Sequence, residues 1–143
     1  RAESVFGGPD PADGGLVRPM GVVALDGGAT LVADQRAGLV RFDASGACTG
    51  RLPGWPYGPE VIAYGLTRAP DGTLYCTDVA GHRVLRLAPD GSPTGALGGE
   101  GVEPGRFREP WDVAWHAGRL YVADMGNHRI QRFDAEHADW RQP

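Results

Sequence analysis

The stretch that decides the fold is residues 122–134, which read VADMGNHRIQRFD. An apolar pair leads into Asp124, a short polar segment follows it, and from Arg129 the chain resumes the alternation of apolar and polar residues. Two alternating runs joined by a short polar segment are the signature of a β-hairpin. The sequence therefore predicts two antiparallel strands here.

The same hairpin pattern occurs three times along the chain. Residues 32–43 (VADQRAGLVRFD) and 76–87 (CTDVAGHRVLRL) repeat it, and the aspartates that mark the three copies, at positions 34, 78 and 124, are spaced by 44 and 46 residues. A unit of this length cannot bury its own apolar faces, and this period is typical of propeller blades or of helical solenoids. The hairpin pattern and the absence of helical periodicity favour the propeller.

The last repeat also carries a family pattern. Residues 110–113 (PWDV) followed by residues 120–134 (LYVADMGNHRIQRFD) resemble the NHL repeat. The second copy keeps Asp78, His82 and Arg83, whereas the first lacks the His-Arg pair. The resemblance implies an all-β fold, a β-propeller of NHL type with three four-stranded antiparallel blades in this chain.

We expect a single domain whose three blades cover residues 15–52, 60–97 and 105–143. Residues 4–19 (SVFGGPDPADGGLVRP) align without a gap with residues 95–110 (GALGGEGVEPGRFREP). Residues 1–8 therefore correspond to the outer strand of an adjacent blade. The tail after the last hairpin stops at the position of Leu52 in blade one, which leaves a complete fourth strand of blade three in doubt.

Three blades alone make an open crescent whose end faces are apolar and exposed to water. Two copies would supply six blades, a closure that the resemblance implies is usual. We therefore predict a two-fold homodimer in which blade one of each copy packs on blade three of the other. Residues 2–6 would add a strand to the partner's blade three. The alternative is that these blades are half of a longer propeller, and a monomeric crescent would contradict the homodimer.

Composition excludes several classes of partner. Twenty-three glycines and twelve prolines fit short strands and tight turns. The formal net charge is −4 and all fourteen basic residues are arginine, so no general attraction to nucleic acid or to an anionic membrane is expected. Some NHL propellers bind RNA through a basic face, and one stripe of arginines could resemble such a face: Arg83, Arg86, Arg129 and Arg132. We expect neither a nucleic-acid partner nor a membrane.

Two cysteines and the hydropathy pattern bear on the compartment. No apolar run reaches the roughly 18 to 20 residues that a membrane helix needs, so a soluble protein is expected. Cys48 and Cys76 lie in different repeats and have no metal-ligand spacing. Unpaired thiols favour a reducing compartment such as the cytoplasm.

The repeated polar residues have a structural and a chemical interpretation. Asp34, Asp78 and Asp124 could form a ring of metal ligands, but they share one hairpin position, where an aspartate accepts hydrogen bonds from N–H groups of the turn. The structural interpretation is therefore preferred. The arginines that follow at positions 83 and 129 are expected to pair with a neighbouring carboxylate or carbonyl.

Ligand-binding residues are sought where the first strands of the blades begin, because propellers bind ligands at the mouth of their channel. The aligned positions there are Met20, Tyr64 and Trp111. The next position is glycine in the first two blades and Asp112 in the third. The two aromatic residues can stack on a ligand, and Asp112 can add a charge; the alternative is that Asp112 is a variant of the repeat without a functional role.

A second candidate site is the loop at residues 53–60, PGWPYGPE. Its prolines stiffen Trp55 and Tyr57, a composition suited to recognition at low entropic cost. Glu60 adds a carboxylate. The alternative interpretation is a connector that covers the edge of a blade.

The function predicted from these residues is non-catalytic recognition of a protein, peptide or small ligand at the channel mouth or on these loops. The alternative is a divalent-metal-assisted lyase or lactonase-type hydrolase, which the resemblance to six-bladed enzymes suggests. Such an enzyme would hold Ca²⁺ or Zn²⁺ on the propeller axis, and the available groups are Asp112, Glu60 and His116. No histidine stands at the beginning of any first strand. Neither a catalytic residue nor a resident cofactor is therefore predicted.

Overall fold

A computed structural model describes residues 2–55 and 58–143. The chain forms three antiparallel sheets, each called a blade here, in which the strand order follows the chain. The strands are β1 (Pro19–Ala24), β2 (Thr30–Asp34), β3 (Gly38–Phe42) and β4 (Cys48–Arg51) in blade one; β5 (Ala63–Arg68), β6 (Leu74–Asp78), β7 (Arg83–Leu87) and β8 (Pro93–Gly98) in blade two; and β9 (Pro110–His116), β10 (Arg119–Asp124) and β11 (Arg129–Asp134) in blade three. Short 3-10 turns cover Pro11–Asp13, Asp26–Gly28 and Met125–Asn127.

The blades pack side by side through their first strands, with β1 against β5 and β5 against β9. Glycine makes this approach possible. A Cβ atom at Gly21 would overlap the carbonyl oxygen of Tyr64, and one at Gly65 would lie 2.6 Å from the Cα of Asp112. The result is the propeller-like, all-β arrangement that the repeats predicted.

Two apolar clusters fill the junctions between blades, as expected for units that cannot bury their own faces. The cluster between blades one and two is built on buried leucines of both sheets: Leu31, Leu39, Leu66, Leu74, Leu85 and Leu87. The cluster between blades two and three contains Val84, Leu97, Phe107, Val113, Leu120 and Val122. Each blade therefore depends on its neighbour for its stability.

Blade three has three strands within the part of the chain that the structure describes, where four were expected of each blade. The tail crosses to blade two instead of pairing with β11. Its Arg141 exchanges two backbone hydrogen bonds of 2.9 Å with Ala96 of β8. Trp140 lies 5.7 Å from the ring of Tyr75 and 4.8 Å from the guanidinium carbon of Arg86. Burial of an indole against a ring and a cation explains why the tail leaves its own blade.

The marker aspartates hold the hairpins, as the structural interpretation predicted. Asp34 Oδ1 accepts the N–H groups of Arg36 and Ala37 at 2.9 and 2.8 Å. Its Oδ2 accepts those of Val17 and Arg18, which precede β1, at 2.9 and 2.8 Å. One buried carboxylate therefore joins the turn to the start of the same blade.

The arginine of the repeat pairs with this aspartate in two blades. The Nε atoms of Arg83 and Arg129 each lie 2.8 Å from the marker carboxylate of their blade. The histidines before them, His82 and His128, adopt left-handed backbone conformations with φ of 52° and 55°. The His-Arg pair is thus part of the turn architecture, and the predicted pairing of arginine with a carboxylate is confirmed.

Acid is expected to weaken the fold through these aspartates. Burial raises the pKa of Asp34, but its four N–H donors outweigh burial and hold its pKa below the ordinary 3.8. The same balance, with N–H donors from backbone and side chains, lowers the pKa of Asp124. The aspartates of the unfolded chain take up protons at a higher pH than those of the folded chain. The stabilisation that these carboxylates contribute is therefore fully present above pH about 4 and is lost as the pH falls through their folded-state pKa.

Urea unfolding at a series of pH values from about 3 to 6 checks this expectation. The free energy of unfolding should decrease below pH about 4, and the decrease should be smaller in Asp34→Asn. Asp10→Asn, which changes an exposed aspartate, serves as the control. An acid dependence identical in Asp34→Asn and the unchanged chain would contradict the assignment.

The two cysteines are unpaired. Cys48 is half-buried on β4, whereas burial raises the pKa of the fully buried Cys76 thiol to about 12. Cys76 is therefore a neutral core residue at physiological pH. None of the described residues forms a helix long and apolar enough to cross a bilayer.

Candidate functional site

The residues predicted at the channel mouth lie at the beginning of the first strands. Tyr64 and Trp111 touch each other across the junction of blades two and three, with ring centroids 4.8 Å apart and planes at 70°. Such edge-to-face contacts are a preferred aromatic geometry. Trp111 is 42% exposed, and Met20 is exposed to the same extent. The mouth thus presents a paired aromatic surface to solvent.

A buried hydroxyl fixes the backbone beneath this aromatic pair. The hydroxyl of Thr77, on β6, accepts the N–H of Gly65 at 2.7 Å and donates to the carbonyl of Trp111 at 3.2 Å. Thr77 is fully buried. Its two hydrogen bonds join the first strands of blades two and three directly under the aromatic rings. The backbone that carries the two aromatic residues is therefore held across the junction of the two blades.

Asp112 lies beside this surface and is exposed. Its Oδ1 accepts the N–H of Val113 at 2.9 Å, which restrains the carboxylate without burying it. Asp112 occupies the position that is glycine in blades one and two. An exposed, restrained carboxylate next to aromatic rings suits a ligand that carries a positive charge.

In the loop at residues 53–60, Trp55 is partly buried against the core and Glu60 is exposed. Trp55 is half-buried and packs against the cluster between blades one and two. A Cβ atom at Gly38 would lie 2.7 Å from its indole, so the absence of a side chain there makes room for the ring. Glu60 is exposed and accepts the N–H of Gly58 at 3.2 Å. Tyr57 lies outside the described residues.

The groups considered for a metal do not converge. Within residues 2–55 and 58–143, no three His, Cys, Asp or Glu side chains come together in a way that could hold a metal ion. Asp112 and His116 stand four positions apart on β9, which at about 3.3 Å per residue separates them by about 13 Å. These residues do not fit a Ca²⁺ or Zn²⁺ centre.

The arginine stripe is largely occupied by contacts within the chain. Arg83 and Arg129 bind the marker aspartates. Arg86 stacks on Trp140 and donates to Thr94 Oγ1 at 3.2 Å. Three of the four guanidinium groups of the stripe therefore make contacts within the chain, and Arg132 is exposed.

Two surface features were not predicted as sites, although exposed apolar end faces of the outer blades were expected from the sequence. An apolar hollow of about 750 Å³ lies on the free face of blade three, lined by Trp111, Ala123, Met125, His128, Arg129 and Ile130. Ile130 is 67% exposed there. The alternation of β11 places Ile130 on the face opposite to the packed one, and this alternation was a signal for the hollow. The hollow marks a face that is suited to being covered.

The second feature is a cleft of about 890 Å³ between blades two and three, at the end opposite to the mouth. Its lining mixes the phenol of Tyr75 with acidic and basic groups that include Asp71, Arg86 and Arg119. Burial raises the pKa of Tyr75. No sequence pattern pointed to this cleft, because its residues come from strands and hairpin turns of two different repeats.

Three antiparallel blades that pack through their first strands and are held by aspartate-anchored hairpins define a segment of a β-propeller. Residues 107–133 match the family model of the NHL repeat. The NHL repeat indicated by the sequence pattern is therefore confirmed in blade three. The matched residues include Trp111 and Asp112 of the mouth.

Among curated proteins, human (Homo sapiens) NHL repeat-containing protein 3 is 37% identical to this chain over 73 residues. The aligned part is 48% of this chain and 21% of the human protein. The alignment thus spans about a fifth of the length of this relative. This similarity supports the assignment of the NHL repeat, and it assigns no activity to this chain.

Two solved structures show the same fold. The structure of a nidogen/laminin complex matches with a TM-score of 0.68 and 23% identity, covering 91% of this chain and 48% of that one. Virginiamycin B lyase from Staphylococcus aureus matches with a TM-score of 0.63 and 20% identity, covering 87% and 40%. One name describes a complex of proteins and the other an enzyme, so the shared fold does not select a function.

Proposed function

We propose that this chain is a non-catalytic recognition module that binds a protein or peptide at the channel mouth. The observation that carries the proposal is the aromatic pair of Tyr64 and Trp111, which is partly exposed and fixed from below by the buried hydroxyl of Thr77. Rigid aromatic residues on strands give a large contact area at a small entropic cost.

The chemistry of the mouth favours a basic side chain in the ligand. The faces of Trp111 and Tyr64 attract a guanidinium or ammonium group, and the exposed carboxylate of Asp112 adds a charge-assisted hydrogen bond. The net charge of −4 acts in the same direction over a longer range. Met20 supplies an adaptable apolar contact. Glu60 remains a proposed contact on the loop at residues 53–60, and so does Tyr57, which lies outside the described residues.

Selection from a displayed library of random peptides tests this function. Peptides enriched on the unchanged chain are expected to contain arginine or lysine. Trp111→Ala should weaken their binding about five- to thirtyfold, which corresponds to roughly 1–2 kcal/mol for a cation stacked on an indole. Trp111→Phe, which keeps an aromatic face, should lose less.

Val102→Ala is the matched control, since it truncates an exposed apolar side chain in the loop between β8 and β9. It should bind the selected peptides like the unchanged chain. If no peptide is enriched, or if enriched peptides bind Trp111→Ala equally well, recognition at the mouth is wrong.

A further inference from the structure

We propose that the cleft between blades two and three, at the end opposite to the mouth, binds a neutral saccharide. The hydroxyl of Tyr75 and the indole of Trp115, which both line the cleft, make the central contacts with the sugar. This site is separate from the channel mouth, so the inference does not depend on the proposed function.

An equivalent cleft lies between blades one and two, but there the chain bridges it with its own side chains. Arg68 of β5 reaches Asp26 of blade one at 2.9 Å, and Leu31 lines the same cleft. Its volume is about 320 Å³, compared with about 890 Å³ for the cleft between blades two and three. The first cleft is therefore closed by an ion pair, whereas the second stays open.

The strand registers show which residues distinguish the two clefts. Each blade pairs its first and second strands in the same way, so residues at the same step of the pairing occupy equivalent places. Three such positions differ, and the larger cleft has Tyr75, Trp115 and Pro70 where the smaller one has Leu31, Arg68 and Asp26. The larger cleft has thus lost the bridging ion pair and gained two aromatic side chains that carry hydrogen-bond donors.

The hydroxyl of Tyr75 is the observation that points to a ligand. Tyr75 is 5% exposed, yet among residues 2–55 and 58–143 its hydroxyl has no hydrogen-bond partner. A buried phenol usually finds a partner, because leaving its hydroxyl without one costs free energy. The charged groups that act on it through space, Asp71 and Arg86, line the same cleft. An oxygen atom of a ligand in the cleft would supply the missing acceptor.

Trp115 offers a second unused donor and an apolar face. Its ring is half-buried against the cluster between blades two and three, and its backbone N–H donates to the hydroxyl of Thr67 at 3.1 Å. Within the part of the chain that the structure describes, its indole N–H has no acceptor. The C–H face of a sugar ring can pack on such an indole while the sugar oxygens accept hydrogen bonds from Trp115 and Tyr75.

The charges around the cleft favour a neutral ligand rich in hydroxyl groups. Arg119 is a donor at the rim, and three carboxylates offer acceptors: Asp71, Asp134 and Glu136. Hydrogen bonds from neighbouring backbone N–H groups hold the pKa of Asp71 and Asp134 below the ordinary 3.8, so both are ionised at neutral pH. A charged ligand would meet a like charge in this lining, whereas every hydroxyl of a saccharide both donates and accepts.

A screen of sugars tests the inference on the unchanged chain. Saturation-transfer NMR is recorded with glucose, galactose, mannose and N-acetylglucosamine and with their disaccharides lactose, cellobiose and chitobiose. At least one of these sugars should bind, with a Kd in the millimolar range that is expected of so small a ligand.

Tyr75→Phe separates a binding role of the hydroxyl from a structural one. It removes only the hydroxyl, so it should weaken sugar binding about five- to tenfold. The melting temperature should stay the same or rise, because no hydrogen bond within the chain is lost. Tyr121→Phe, the same change at the aligned position of blade three, is the matched control and should bind the sugar like the unchanged chain. Trp111→Ala at the mouth should also keep sugar binding.

Several outcomes would overturn the proposal. They are binding of no sugar on the panel, equal weakening by Tyr75→Phe and Tyr121→Phe, and tighter binding of the charged sugars glucuronate or glucosamine than of neutral hexoses. A lowered melting temperature of Tyr75→Phe would show that the hydroxyl has a partner within the chain and would also contradict it. Failure of the peptide selection with sugar binding retained would contradict the proposed function alone.

Discussion

Replacing Asp124 with alanine is expected to lower the free energy of unfolding by about 3–5 kcal/mol, because the donors around this buried carboxylate lose their acceptor. The side chain is fully buried. It accepts hydrogen bonds of 2.8 to 3.1 Å from four donors: the N–H of Arg108 and the side chains of Asn127, Arg129 and Gln131. Two of these donors lie in β11, one in the turn and one ahead of β9.

Urea denaturation followed by circular dichroism measures this loss. Asp139→Ala is the control, since Asp139 is exposed and its ion pair with Arg141 at 3.0 Å contributes less than about 1 kcal/mol. A loss below about 1 kcal/mol for Asp124→Ala would mean that water replaces the carboxylate without cost. The anchoring role of the marker aspartates would then be wrong.

Replacing Phe107 with alanine is expected to cost about 3–5 kcal/mol through the cavity that it leaves. Phe107 is fully buried between blades two and three and lies 5.8 Å from the ring of Phe133. The ring also packs close to Gly98, where a Cβ atom would overlap it. Neighbouring backbone that is already this close cannot easily move to fill the cavity.

The internal repeat supplies a matched control for this variant. Leu16 occupies the aligned position in front of blade one and is only half-buried. Leu16→Ala should therefore cost clearly less than Phe107→Ala in the same urea denaturation experiment. Equal losses would show that the junction in front of blade one is as well packed as the junction between blades two and three.

The repeats and their hairpins were predictable because they depend on local residues. The spacing of Asp34, Asp78 and Asp124 identified three blades, and the position of each aspartate in its turn predicted the bonds that it makes. The aromatic residues at the mouth were found by comparing repeats, since aligned positions of a propeller lie at equivalent places. Their contact with each other was not predicted, because it depends on the distance between two blades.

Features that depend on contacts between repeats were not readable in this way. Trp55 stands in a loop rich in proline and was predicted to bind a ligand, yet Gly38, seventeen positions earlier, leaves room for its indole against the core. The tail was expected at most to begin a fourth strand, but Tyr75 and Arg86 of blade two hold Trp140. In both cases an aromatic residue packs on residues that are distant in the sequence, and nothing in the local sequence indicated that contact.

The hydroxyl of Thr77 couples the position of the two aromatic residues at the mouth to the packing of blades two and three. It bonds to Gly65 in β5 and to Trp111 in β9, so the relative placement of the two aromatic rings is inherited from the packing of two blades. The corresponding residues of the other blades, Ala33 and Ala123, have no hydroxyl. Substitutions in the core between blades two and three can therefore shift the placement of the Tyr64 and Trp111 rings from a distance, while both aromatic residues stay the same.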